Sequence, residues 1–130
     1  MTLAAPATRA IILFAHGSRD PNWSNPVRAV AAQVALQSPQ TPVACAYLEL
    51  MSPNLAESVA SLVAAHPQLE TISIYPVFLG MGRHAREDLP LLMQELQALY
   101  PGVRFVQMPS AGESQAVLDA IAQSALAALA

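Results

Sequence analysis

Four short apolar runs alternate with four stretches of helical pattern, and no other feature constrains the fold as much. The runs cover residues 10–15, 42–48, 69–75 and 103–108. The first, Ala10-Ile11-Ile12-Leu13-Phe14-Ala15, is continuously apolar, partly β-branched, and stops at His16-Gly17. Its length and composition predict a strand buried on both faces, as in a parallel sheet. Strands separated by helices of ten or more residues predict an α/β fold, a parallel sheet with helices on both faces. A doubly wound sheet reverses direction once, so the expected order of the four strands is 2-1-3-4.

The turn residues set the expected helix ends. Asp20-Pro21 suits an N-cap followed by proline at the first position. The regular helix then starts near Asn25-Pro26, runs through Val27, Val30, Val34 and Leu36, and ends before Ser38-Pro39. Ser52 caps and Pro53 opens a second helix, with Leu55, Val59, Leu62 and Val63 on one face and His66-Pro67 at its end. Residues 76–87 read as a long loop, and Asp88 as the N-cap of a third helix over 89–99 with Pro90 in its first turn. Pro101-Gly102 breaks that helix, and residues 113–130 form an alanine-rich last one. Residues 1–9 are expected to be a loose tail, and 10–130 one domain.

Composition excludes several functions. The formal net charge is -3 and no basic cluster is present, which argues against nucleic-acid binding. All six basic residues are arginine, so no lysine is available for a Schiff base or a phosphate loop. The single cysteine, Cys45, cannot form an internal disulfide and suits a reducing cytoplasm. No apolar run approaches the roughly 20 residues that span a bilayer, and residues 1–9 lack the apolar core of a signal peptide. A soluble cytoplasmic protein is expected, without membrane or nucleic-acid partners. The hydrophobic fraction of 54% leaves apolar surface for a protein partner, although much of it is alanine.

In a sheet of order 2-1-3-4 ligands bind beyond the carboxyl ends of the strands, between strands 1 and 3. His16 ends strand 1, Glu49 ends strand 2, the 76–90 segment carrying His84 follows strand 3, and Ser110 follows strand 4. A hydrolase oxyanion loop would need a Gly-x-Ser-x-Gly elbow, which is absent. A phosphate-transfer histidine of the Arg-His-Gly type would need arginine where Ala15 stands. Gly80-Met81-Gly82-Arg83-His84 matches neither a dinucleotide nor a phosphate loop. His66, before a proline at a helix end, reads as structural. Two neutral imidazoles suit a divalent first-row metal such as cobalt, nickel, iron or zinc. With only Glu49 to add, any such site is open, whereas a structural zinc site closes with four ligands. Arg19, Arg83 and Arg86 share this edge. They either pair locally with Asp20, Glu87 and Asp88 or recognise a polyanionic ligand, whose flat apolar part Val77, Phe78, Leu79 and Met81 would cover.

These residues resemble the small form of the CbiX sirohydrochlorin chelatases, class II chelatases. The resemblance lies in His16-Gly17-Ser18-Arg19-Asp20-Pro21, in Tyr47-Leu48-Glu49-Leu50 with Pro53, and in Pro76-x-Phe78-Leu79-x-x-Gly82-x-His84-x-x-x-Asp88-Leu89-Pro90. The family usually has isoleucine where Leu89 stands. The resemblance implies a chelatase that inserts a divalent metal, typically cobalt, into sirohydrochlorin in cobalamin biosynthesis, without an organic cofactor. It makes His16 and His84 the metal pair and Glu49 the matching acidic position. Ser18, Arg19, Phe78, Leu79, Gly82, Arg83 and Arg86 become the substrate-binding set. Longer chelatases of the superfamily hold two such domains around one cleft, so a homodimer is implied. The alternatives are iron or nickel insertion into the same tetrapyrrole and a non-catalytic metal or tetrapyrrole carrier. A small hydrolase is disfavoured by the missing elbow.

Overall fold

The computed structural model describes residues 5–130. The elements follow as β1 (Arg9–Ala15), a 3-10 turn (Pro21–Ser24), α1 (Asn25–Gln37), β2 (Val43–Tyr47), α2 (Leu55–Ala65) and β3 (Thr71–Pro76). They continue as α3 (Arg83–Leu99), β4 (Arg104–Gln107), a second 3-10 turn (Ala111–Glu113) and α4 (Gln115–Ala127). The strands pair in parallel in the order β2-β1-β3-β4, as the alternation predicts.

Alternation along each strand divides the core in two. Ile12, Phe14, Ala46, Ile72 and Ile74 pack on one face against Leu55, Val59 and Leu62 of α2 and Leu89 and Leu96 of α3. Leu13, Ala15 and Tyr47 meet Val27 of α1 on the other face. Among the described residues Phe14, Ile12, Ile72, Ile74, Leu89, Val59 and Pro76 are the largest side chains fully shut off from solvent. Each such burial contributes about 1.5–3 kcal/mol, so the centre of the sheet, β1 and β3, anchors the molecule.

Helix starts depart from expectation twice. α2 is capped by Asn54 rather than Ser52. The Asn54 side chain accepts from the Glu57 amide at 2.8 Å, and Glu57 accepts from the Asn54 amide at 2.8 Å, a reciprocal capping box. Pro53 lies before the helix, and its carbonyl accepts the Tyr47 amide at 3.0 Å, finishing the end of β2. α3 starts at Arg83 with Gly82 as its cap, well ahead of Asp88, and Pro90 stands inside it. Burial explains the longer helix. Ala85, Leu89 and Leu96 form one buried stripe, and extending the helix through Pro90 secures the Ala85 end of it. The missing amide of Pro90 leaves the Arg86 carbonyl without its helical donor, a cost that the buried stripe offsets. His84 therefore sits in a helical first turn, not in a loop.

The two ends differ from expectation as well. The tail expected over 1–9 falls outside the described residues at 1–4, and Arg9 already belongs to β1. The Thr8 carbonyl accepts the Glu70 and Thr71 amides at 2.7 and 3.1 Å, so this stretch is docked to the sheet. α4 starts at Gln115, capped by Ser114, and none of its residues is buried. It packs against the 111–113 turn rather than on the sheet. Helices do cover both faces, but α1 stands alone on one and α2 and α3 share the other. Among the described residues no helix is long and apolar enough to cross a membrane.

Leu89 tests the extended α3. Leu89→Ala, at a site with 0% exposure, should cost about 2–5 kcal/mol in urea unfolding. Leu91→Ala, on the 57% exposed side of the same helix, should stay within about 0.5 kcal/mol of the parent.

Candidate metal centre at the carboxyl edge of the sheet

The loops after β1 and β2 are held together by backbone. The Ala15 carbonyl accepts the Leu48 amide at 2.9 Å and the His16 carbonyl accepts the Glu49 amide at 3.1 Å, which continues the ladder past the strand ends. Gly17 adopts a φ of +99°, and a Cβ there would lie 1.9 Å from the Glu49 carbonyl oxygen. Only glycine permits both the angle and the approach. The same carbonyl accepts the Met51 amide at 2.9 Å, around Leu50 at a φ of 66°. With the backbones so placed, His16 Nε2 and Glu49 Oε1 stand 2.9 Å apart, each side chain about half exposed.

The loops after β3 and β4 form a second clasp. The Phe14 carbonyl accepts the Val77 amide at 2.7 Å, and the Phe78 carbonyl accepts the Gly112 amide at 2.8 Å. A Cβ on Gly112 would lie 1.7 Å from the Leu79 carbonyl oxygen, so this contact also requires glycine. Ser110 and Glu113 close a capping box around the turn: Glu113 Oε2 accepts the Ser110 amide at 3.0 Å and its hydroxyl at 3.2 Å. The Phe78 ring then stands edge-on to His16 at 6.4 Å and to Phe14 at 6.2 Å. An aromatic wall thus joins the core to the imidazole.

The expected site residues separate into groups. His16, Glu49 and Phe78 are brought together. His84 lies exposed in the first turn of α3. Among the described residues no three His, Cys, Asp or Glu side chains converge as a metal shell, so the His16–Glu49 pair is not closed by a third such ligand. Arg83 pairs with Glu87 at 3.0 Å on the exposed surface of α3, which is worth about 0–1 kcal/mol and leaves the guanidinium available. Arg86 lines a groove of about 530 Å³ with Leu79, Met81, Gln107 and Glu113. Arg19 is exposed and in no ion pair among the described residues. The Ser18 hydroxyl accepts the Asp20 amide at 3.1 Å, so it shapes its own loop. Gly82 has open space around it and serves as the cap of α3, not as a point of close approach.

Two residues escape sequence reasoning. Gly17 and Gly112 each press on the backbone of a loop distant in sequence, which no local pattern reveals. The Ser110-x-x-Glu113 spacing is itself a capping signal and could have marked the last turn. A larger groove, about 620 Å³, lies along the β2 edge between Ser24, Arg28, Cys45, Met51 and Ser58, and no imidazole or carboxylate lines it. Burial pushes the Cys45 thiol above its ordinary value there.

The sheet is open and doubly wound, and the imidazole–carboxylate pair joins its first two loops on one side of the β1–β3 reversal point. In fold the chain is similar to the sirohydrochlorin chelatase SirB from Bacillus subtilis subspecies spizizenii in complex with cobalt, with a TM-score of 0.75 and 22% identity over 89% of this chain and 49% of that one. It is also similar to a CbiX protein from Marinobacter aquaeolei VT8, with a TM-score of 0.80 and 30% identity over 93% of this chain and 97% of that one. The CbiX family model matches residues 10–128, and the chain belongs to the CbiX family. A sirohydrochlorin cobaltochelatase from Methanopyrus kandleri is 32% identical over 84 residues, 65% of this chain and 57% of that protein. The match thus spans little more than half the length of that curated relative.

The Gly17 contact predicts that Gly17→Ala destabilises the protein by about 1–3 kcal/mol through strain and separates His16 from Glu49. Gly102→Ala, with nothing within 4 Å of the new Cβ, should leave thermal unfolding unchanged. The raised Cys45 pKa predicts less thiolate at pH 7.5 than in the unfolded chain. Its reaction with a disulfide reagent should therefore be slower in the folded protein and accelerate in denaturant.

Proposed function

We propose that this chain inserts a divalent metal, cobalt before iron or nickel, into sirohydrochlorin. The observation that carries the reading is the His16–Glu49 pair, held between the loops after β1 and β2, with Phe78 beside His16 across the β1–β3 reversal point. The family and the name of the Methanopyrus kandleri relative support it. The substrate set is Ser18, Arg19, Phe78, Leu79, Gly82, Arg83 and Arg86, and the metal pair His16 and His84. Residues 10–130 act as one chelatase unit, working in the cytoplasm.

Insertion needs a partly dehydrated metal ion and the loss of two pyrrole protons, so sirohydrochlorin and M²⁺ give the metallated ring and two H⁺. With its proton on Nε2 and shared with Glu49, the His16 imidazole keeps the Nδ1 lone pair for the metal. Glu49 is then both the group that orients the ring and an acceptor for a departing proton. His84 offers a second imidazole from the start of α3. That helix N-terminus carries partial positive charge, and Arg83 and Arg86 add to it. A cation is held weakly in such surroundings, whereas the carboxylates of a tetrapyrrole are attracted. Weak metal and strong anion binding suit transfer from protein to ring better than storage. Phe78 and Leu79 supply apolar surface for the macrocycle, and the arginines pair with its rim.

SirB is about twice as long, since this chain covers 49% of it. We infer that two copies of this chain together form what the longer protein builds in one, a homodimer.

Anaerobic insertion of Co(II) into sirohydrochlorin, followed by absorbance, tests the reading. His16→Ala and His84→Ala should each lower kcat/KM by at least about 100-fold, and Glu49→Gln by about 10–100-fold. Unchanged turnover in either histidine variant removes that residue from the mechanism. Metal bound in stoichiometric amount without repeated turnover would instead mark a carrier, and competition among equimolar Co, Ni and Fe ranks the metals.

A further inference from the structure

The groove of about 620 Å³ at the β2 edge has the size of a small-molecule site and takes no part in the chemistry above. Arg28 of α1, Ala44 and Cys45 of β2, and Ser61 and Leu62 of α2 line it, so three elements converge on one hollow. Its charge is one-sided. No carboxylate lines it, and among the described residues Arg28 is in no ion pair. The guanidinium donates only to the neutral Asn25 side chain. The acids that flank the lining residues in sequence are each engaged elsewhere. Asp20 accepts the Asn22 amide at 2.9 Å, Glu57 accepts the Asn54 amide at 2.8 Å, and Glu49 stands 2.9 Å from His16. Burial raises the Cys45 thiol, and the Arg28 charge is among the influences that draw it back, so the guanidinium is felt at the β2 wall.

The donors select the kind of anion. One guanidinium offers a planar pair of N–H groups, which matches the two oxygens of a carboxylate. A phosphate dianion draws on more positive charge than this, and the chain has no lysine to add. The exposed Ser61 hydroxyl supplies one further donor on the α2 wall. Ala44, Leu62 and Met51 give the rest of the hollow an apolar lining, which suits a hydrocarbon body behind the charged end.

We propose that this groove is a second ligand site, which binds a small carboxylate with an apolar body, its charge on Arg28 and its body along Leu62 and Met51. The site is separate from the His16–Glu49 pair and independent of the chelatase reading. Met51 stands between the two. Its Cγ is 3.4 Å from where a Cβ on Gly17 would lie, and its amide donates to the Glu49 carbonyl at 2.9 Å. A ligand in the groove thus rests against the loop that carries Glu49 and touches neither the imidazole nor the carboxylate.

Cys45 is the sole cysteine and lines the groove, so its alkylation by iodoacetamide, a neutral reagent, reports occupancy. The test compares 4-phenylbutyrate with its neutral amide, 4-phenylbutanamide. A ligand of this size in an open groove reaches a Kd on the order of 1 mM, so the carboxylate at about 5 mM should slow alkylation about 5-fold. The amide should slow it about 2-fold or less. Each rate is read as a ratio with and without ligand, because Arg28 itself acts on the thiol. Arg28→Gln, at an exposed position of α1, should reduce protection by the carboxylate to the level of the amide. Arg104→Gln, on the opposite edge strand, should keep it. Equal protection by carboxylate and amide, or protection that survives Arg28→Gln, would overturn the carboxylate reading. Absence of protection by either compound would overturn the site.

Discussion

Gly17 lies so close to the Glu49 carbonyl that a single methyl group could not be placed between them. That contact sets the distance between the first two loops, and the distance decides whether His16 reaches Glu49. Everything chemical at this edge follows from backbone approach. The side chains are half exposed and have little packing of their own to position them. The fully buried β1 supplies the rigid base, and the loop carbonyls carry its position outward. The Gly112 contact repeats the device on the other side of the crevice.

The two clasps bring one imidazole and one carboxylate together and leave the pair open. A resident metal would want three or four converging ligands, and none of the described residues completes such a shell. The start of α3 adds positive potential through its free amides, Arg83 and Arg86. Under the proposed reading, the same potential would favour the anionic rim of the tetrapyrrole.

Sheet order and the sharing of one edge by His16, Glu49 and the 76–90 segment were legible because they follow from alternation and handedness, which a sequence writes openly. Helix starts were less so. Pro90 looks like a first-turn residue, and only the burial of Ala85 alongside Leu89 and Leu96 shows why α3 runs through it. Ser52-Pro53 imitates a helix start that Asn54 and Glu57 make in fact. The roles of Gly17 and Gly112 are contacts between segments far apart in the chain, so they become visible only in three dimensions. Ser18 was expected to face substrate, and that reading stands as a proposal beside the hydrogen bond it makes within its own loop.

The outer edge of β2 carries a further consequence. An edge strand offers unpaired amides and carbonyls to any passing strand. Here the Tyr47 amide is taken by the Pro53 carbonyl, and the Cys45 carbonyl by the Ser58 hydroxyl at 2.8 Å. Two of the outward polar groups of β2 are thereby taken within the chain. A strand adding to that margin would have to displace both hydrogen bonds first.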